Sequence, residues 1–171
     1  MQIIYKTGDA LAGTERFFCH GCNAQGVMGS GIAAQVRAQF PAAYKAYREQ
    51  YEREGLKLGD RISVDCGTKT IINAVTQEHY GRDPNTVYVS YEAIEKAVRG
   101  INAWSALAEN SAPMKRMIGQ PKEVAFPLIG AGLANGDWDI ISKIIEELST
   151  DFQPVVYLFD GKMPQGRGGV R

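Results

Sequence analysis

The chain has 171 residues, the length of one ordinary domain. Hydrophobic residues make up 44% of it, enough for a buried core and well outside the range of disordered chains. Its 19 lysines and arginines balance 19 aspartates and glutamates, so no overall field draws it to nucleic acid or to an acidic membrane, and an anionic ligand has to be held locally. No apolar run approaches the ~20 residues of a membrane span, the opening residues do not begin a signal peptide, and three cysteines leave one over from any internal pairing. The expectation is a single cytoplasmic domain that needs no disulfides.

Strand-like and helix-like segments alternate along the chain. Residues 2–5 and 16–20 read as short strands, the second through Phe17, Phe18 and Cys19. Ile32, Val36 and Phe40 recur at helical spacing, which predicts a helix over 30–40 that stops at Pro41, and a second helix follows over 42–54. The β-branched runs 61–65 and 70–75 read as a hairpin or as adjacent strands. Residues 77–85 are polar and turn-rich and read as an exposed loop. Ile94, Ala97, Val98, Ile101 and Trp104 predict a helix over 90–109. A short strand at 123–126 ends at Pro127, and Ile141, Ile144, Ile145 and Leu148 put one apolar stripe on a helix over 138–148, with Asp137 placed to cap it. The last strand is 154–159, and 161–171, rich in glycine and arginine with little to bury, is expected to be disordered. This alternation predicts an α/β/α sandwich with a mainly parallel or mixed central sheet of about six strands.

Two glycine-rich segments lie where a strand hands over to a helix: Gly26-Val27-Met28-Gly29-Ser30-Gly31-Ile32-Ala33, and Leu128-Ile129-Gly130-Ala131-Gly132-Leu133-Ala134-Asn135-Gly136-Asp137. Ligands of open α/β sheets bind outside the carboxyl ends of the strands. Glycine there lets backbone N–H groups approach an anion, and the helix that follows adds unpaired donors and the positive end of its dipole. Either segment alone reads as a tight turn; two at strand exits point to a diphosphate held by backbone dipoles, which is how a neutral chain can bind an anion. Neither segment is a Walker A sequence, and the order Gly-x-x-Gly-x-Gly is a poor dinucleotide fingerprint. Gly8-Asp9 follows the first strand, where an aspartate can accept a hydrogen bond from an adenine amino group or simply make a turn.

Gly8-Asp9, the run His20-Gly21-Cys22-Asn23 through Gly29-Ser30-Gly31-Ile32-Ala33, and Pro127-Leu128-Ile129-Gly130-Ala131-Gly132-Leu133 resemble the macrodomain family from about residue 1 to residue 159. His20-x-Cys22-Asn23, Gly29-x-Gly31-Ile32-Ala33 and Phe40-Pro41 look most like the branch of yeast ADP-ribose-1″-phosphate phosphatase and the terminal ADP-ribose–glutamate glycohydrolases. The resemblance implies that the chain binds ADP-ribose or a derivative, or an ADP-ribosylated protein, and hydrolyses a group on the distal ribose, with no cofactor or metal implied. It places Asp9 on the adenine amino group with the Ala10 backbone beside it. Gly29, Ser30, Gly31 and Ile32 would cradle one phosphate, Gly130, Ala131, Gly132 and Leu133 the other, and Asn23 would face the distal ribose. An aromatic at the end of the last strand, Phe159 or else Tyr157, would lie against adenine or else belong to the core.

For catalysis the resemblance offers His20 as acid–base or water-positioning group, against the plain alternative of a histidine satisfying a buried partner. Asp137 would polarise water or pair with His20, or else serve only as a helix cap. Glycohydrolases of the family use a lysine after a central strand and an aspartate after Gly-x-Gly-Leu; Gln77 and Ala134 stand there, which speaks against the lysine route. His79, in the nearby polar loop, reads as solvated. The rival function is a module that reads ADP-ribose without turnover. Cys19 and Cys22 form a Cys-x-x-Cys pair, but at a strand end rather than at the helix start that activates such thiols, so they read as inert.

Overall fold

The computed structural model describes residues 1–164; of the segment expected to be disordered, 165–171 lie outside the described residues. The elements are β1 (Ile4–Thr7), β2 (Phe17–Asn23), α1 (Gly31–Gln39), α2 (Pro41–Glu54), β3 (Arg61–Asp65), β4 (Thr70–Gln77), α3 (Tyr91–Glu109), α4 (Ala112–Ile118), β5 (Glu123–Phe126), α5 (Trp138–Leu148) and β6 (Gln153–Leu158). The strands form one sheet in the order β1-β6-β5-β2-β4-β3. Among the described residues every strand pairing is parallel except β3 with β4. Of the two readings of these runs, hairpin or adjacent strands, the hairpin is the one the fold adopts, and the sheet is mixed.

The central strands are buried on both faces and read as near-continuous apolar runs, as parallel strands between two helical layers must. In β2, Phe17 and Cys19 enter the core with α3 and α5, while Phe18 and Cys22 enter the cores that hold Val36 of α1 and Ala43 and Tyr47 of α2. Phe18, Ile71 and Ile72 are fully buried, each stabilising by roughly 1.5–3 kcal/mol. Edge strand β3 alternates instead, with Arg61, Ser63 and Asp65 facing outward, and its charges keep the edge from pairing with another sheet.

Strand ends depart from the sequence reading for tertiary reasons. Residues 1–3 are not strand: the Met1 ammonium donates to the carbonyls of Glu146 and Ser149 at 2.8 and 2.7 Å, and Ile3 N–H donates to Glu146 Oε1 at 3.0 Å. A positive charge thus sits at the carboxyl end of α5, where the helix dipole favours it. Strand β2 runs past Gly21 because β4 pairs with it to Asn23. Glycine is needed there, since a Cβ would lie 2.6 Å from Thr76 Oγ1. Helix α4 was not anticipated. It buries no side chain and so has no apolar stripe, although Ser111 caps it, accepting from Met114 N–H at 3.4 Å, and Gly119 ends it at φ +71°.

Candidate ligand-binding site

The parallel strands all point the same way, so their exits form a row along one edge of the sheet. Asp9 follows β1, Phe159 follows β6, the 127–137 segment follows β5, the 24–30 segment follows β2, and the polar 78–90 segment follows β4. A cavity of about 580 Å³ opens at this edge, lined by the last three of these segments and the ends of their strands. That volume lies within the roughly 300–1,000 Å³ of small-molecule sites.

Asn23 organises the first wall. Its Oδ1 accepts from Gln25 N–H at 3.0 Å, Val27 N–H at 3.3 Å and the Tyr47 hydroxyl at 3.0 Å, and its Nδ2 donates to the Val27 carbonyl at 2.7 Å. The chain then turns into α1 through Gly31, whose φ of +57° favours glycine. Ser30 stands at the N-cap but its hydroxyl makes no cap bond, whereas the capping side chains of α3, α4 and α5 each accept from a backbone N–H. Among the described residues the N–H groups of Gly31, Ile32 and Ala33 have no protein acceptor. Unused donors at the positive end of a helix are a ready anion site.

The second wall is the turn after β5. Gly130 has φ +75°, and a Cβ there would stand 2.8 Å from Val89 Cγ2 and 3.1 Å from Ile141 Cδ1. Gly136 N–H closes the turn on the Gly130 carbonyl at 2.8 Å. The N–H groups of Gly130, Gly132 and Leu133 have no acceptor among the described residues. The two walls meet, since a Cβ added to Gly31 would lie 3.4 Å from Leu133 Cδ1. Asn23, Gly29, Ser30, Gly31, Ile32, Gly130, Gly132 and Leu133, all chosen from sequence, therefore line one cavity.

The other sequence-selected residues lie outside its lining. Asp9 and Ala10 follow β1, and the Asp9 carboxylate accepts from Leu11 N–H at 2.8 Å, which leaves its second oxygen without a protein donor among the described residues. Phe159 is 81% exposed beside it, because Thr7 and Leu158 are paired across β1 and β6, while Tyr157 is buried with its hydroxyl on Glu15 at 2.9 Å. Ala131 is in the second wall but turns its N–H to the Leu128 carbonyl at 3.1 Å.

His20 is wholly buried beneath α2. Its Nε2 is 2.7 Å from Asn73 Oδ1, and Asn73 Nδ2 donates to the Ala43 carbonyl at 2.9 Å. The asparagine therefore offers its oxygen to the ring, which keeps the proton on Nε2. Phe18 stacks on the imidazole at 5.9 Å, and burial drives its pKa down to about 4. Asp137 caps α5, accepting from Asp139 N–H at 2.9 Å. The structure brings neither residue into the cavity. Cys19 and Cys22 point into cores on opposite faces of the sheet, and burial pushes the Cys19 thiol up to about 12 and Cys22 higher than its usual range, which keeps both as neutral thiols.

Sequence reading missed the wall supplied by β4 and the segment after it. The pairing of β2 with β4 slips between Cys22–Val75 and Asn23–Gln77, leaving Thr76 without a partner across the strands. Such an irregularity re-aims a side chain. Thr76 lines the cavity, is 1% exposed, and its hydroxyl has no hydrogen-bond partner among the described residues. Gln77, Tyr80, Gly81 and Arg82 continue that wall, while exposed His79 is not in it. For Tyr80, Gly81 and Arg82 the only sequence signal is that a polar segment follows a strand, whereas the family resemblance had already set Gln77 at the position of the glycohydrolase lysine.

The sequence matches the Macro domain family over residues 19–145. An ADP-ribose 1″-phosphate phosphatase of Scheffersomyces stipitis is 47% identical over 178 residues, covering 91% of this chain and 99% of that one. A DNA ADP-ribosyl glycohydrolase of Mycobacterium tuberculosis is 27% identical over 165 residues, covering 91% of this chain but only 42% of the other, so this chain spans less than half of that relative. In structure it is similar to Thermosipho africanus DarTG, solved in complex with ADP-ribose, at a TM-score of 0.70 and 22% identity over 96% of this chain and 43% of that one. With the six-stranded mixed sheet between two helical layers and the paired glycine walls at its carboxyl edge, the match over residues 19–145 shows that the chain belongs to the Macro domain family.

Proposed function

We propose that this chain binds ADP-ribose derivatives and hydrolyses a group carried on their distal ribose, with ADP-ribose-1″-phosphate as the leading substrate. The observation that carries this reading is the meeting of two glycine walls, both with unused N–H donors, across one cavity. Two phosphates can be held there by backbone dipoles without a cationic chain, each charge-assisted bond contributing about 1.5–3 kcal/mol. Five adjacent strand exits, four spacings of ~4.8 Å, span about 19 Å, an elongated edge suited to a base, two phosphates and two sugars in line. The adenine end falls at Asp9 and Phe159, the diphosphate between the glycine walls, and the distal ribose over Asn23, Thr76 and Gln77. The Thermosipho protein solved with ADP-ribose and the Scheffersomyces ADP-ribose 1″-phosphate phosphatase support the choice of ligand.

The phosphatase reading is favoured over the glycohydrolase one. Gln77 and Ala134 line the cavity where the family's lysine route would need a lysine and an aspartate. Phosphoryl transfer to water passes through a loose transition state that asks for positioning and charge stabilisation more than for covalent help from the protein. In this reading the glycine walls orient the diphosphate and hold the distal ribose in place. A non-catalytic reader is the second reading, favoured by one observation: no aspartate, glutamate or histidine lines the cavity among the described residues. Calorimetry with ADP-ribose tests the shared claim, and absence of binding refutes both readings. Phosphate release from ADP-ribose-1″-phosphate separates them: turnover establishes the hydrolase, and binding without turnover establishes the reader.

A further inference from the structure

The cavity is charged at one end only. Among its described lining residues there is no carboxylate and a single cationic side chain, Arg82, in the wall that follows β4. None of the ion pairs among the described residues involves Arg82, so no protein carboxylate competes for it. The neighbouring Asp83 carboxylate is occupied instead by Asn85 N–H at 2.9 Å and the Thr86 hydroxyl at 2.7 Å.

The backbone on either side of Arg82 is fixed. Gly81 packs against the Tyr88 hydroxyl so closely that any Cβ would collide with it, and Asp83 N–H donates to the same hydroxyl at 3.3 Å. Asn135 ties this segment to the second glycine wall, its Nδ2 donating to the carbonyls of Asp83 and Thr86 at 2.9 and 2.8 Å. Tyr88 N–H adds a bond to the Ala134 carbonyl at 2.9 Å. Asn135 makes these bonds from φ +58°, the only left-handed conformation of a non-glycine residue among those described. A backbone conformation of that kind persists where the surroundings over-determine it. Arg82 is thus presented from a segment anchored to the wall whose N–H groups are unused among the described residues, and Thr76, in the same wall as Arg82, carries a buried hydroxyl without a partner among them.

From this placement we infer that Arg82 is the specificity-determining contact for an anionic group on the far end of the ligand, a phosphomonoester on the distal ribose. The inference rests on the proposed reading of the cavity as an ADP-ribose site. The diphosphate is served by backbone donors on both walls, so the arginine is left for a further charge. A guanidinium offers a phosphomonoester two parallel N–H donors, which a lysine does not reproduce.

The test compares wild type, Arg82→Ala and Arg82→Lys with two ligands. ADP-ribose is titrated by calorimetry, and ADP-ribose-1″-phosphate is followed as KM and kcat, or titrated directly if it is not turned over. The preference for the phosphorylated over the unphosphorylated ligand falls about tenfold in Arg82→Ala, as expected for one partly screened charge-assisted contact, is partly restored in Arg82→Lys, and shrinks with added salt in wild type and Arg82→Lys but not in Arg82→Ala. An equal loss for both ligands puts Arg82 on the diphosphate and overturns the inference, as does an unchanged preference. If wild type fails to bind ADP-ribose at all, it is the proposed function that falls.

Discussion

The buried imidazole of His20 makes folding stability depend on acid in a way that one substitution removes. In the unfolded chain a histidine titrates near 6.5; in the fold, burial lowers this to about 4. Between those values the unfolded state holds a proton that the native state refuses, so unfolding becomes easier as pH falls. The contribution is fully present above about pH 6.5 and is lost through the window down to 4, amounting to about 2–3 kcal/mol by pH 4.5. His20→Gln is the informative variant, because a neutral side-chain amide can still donate to Asn73 Oδ1 but does not titrate. Urea unfolding of both proteins at pH 7.5, 6.5, 5.5 and 4.5 should show wild type losing stability faster than the variant, with the gap between them closing by about 2–3 kcal/mol. Parallel losses would refute the argument, as would an NMR titration that puts the ring near 6.5. The same pair reports on chemistry: a limb of the pH–rate profile that vanishes in His20→Gln would return His20 to the mechanism, and an unchanged profile leaves it in the core.

Three further substitutions test the site and its supports. Gly130→Ala forces a left-handed alanine and sets a Cβ against Val89 and Ile141; stability should drop by about 2 kcal/mol or more in denaturant unfolding, with ADP-ribose affinity falling beyond that loss, and a neutral effect would show that the turn is free to relax. Asp137→Ala removes the bond to Asp139 N–H and should cost about 1 kcal/mol of stability while kcat holds; a fall in kcat without a stability loss would make the aspartate catalytic. Thr76→Val deletes a buried hydroxyl that has no partner in the fold and should raise stability by about 1 kcal/mol, measured by thermal unfolding without ligand; destabilisation would mean that the hydroxyl is satisfied in solution.

Much of the fold is local enough to be written in one segment at a time. The stripe Ile141, Ile144, Ile145, Leu148, the break at Phe40-Pro41 and the β-branched run of β3 each specify an element through side-chain periodicity and backbone stereochemistry, and those elements are where the pattern puts them. The glycine walls were legible for the same reason, since glycine at a strand exit constrains the backbone whatever surrounds it. Helix α4 was not, because a helix that buries nothing leaves no periodic trace.

The chain by itself determined the alternation of strands and helices, the two glycine turns and the absence of a charge field that would gather anions at long range. Tertiary structure decided what no single segment contains: that β2 lies between β5 and β4, so that turns about a hundred residues apart face one cavity. It also decided that His20 points beneath α2 rather than into the cavity, and that a slip in the β2–β4 register leaves Thr76 lining that cavity. The reason is physical: periodicity tells which residues share a face, but which face meets the core and which strand exits stand side by side depend on pairing partners distant in sequence.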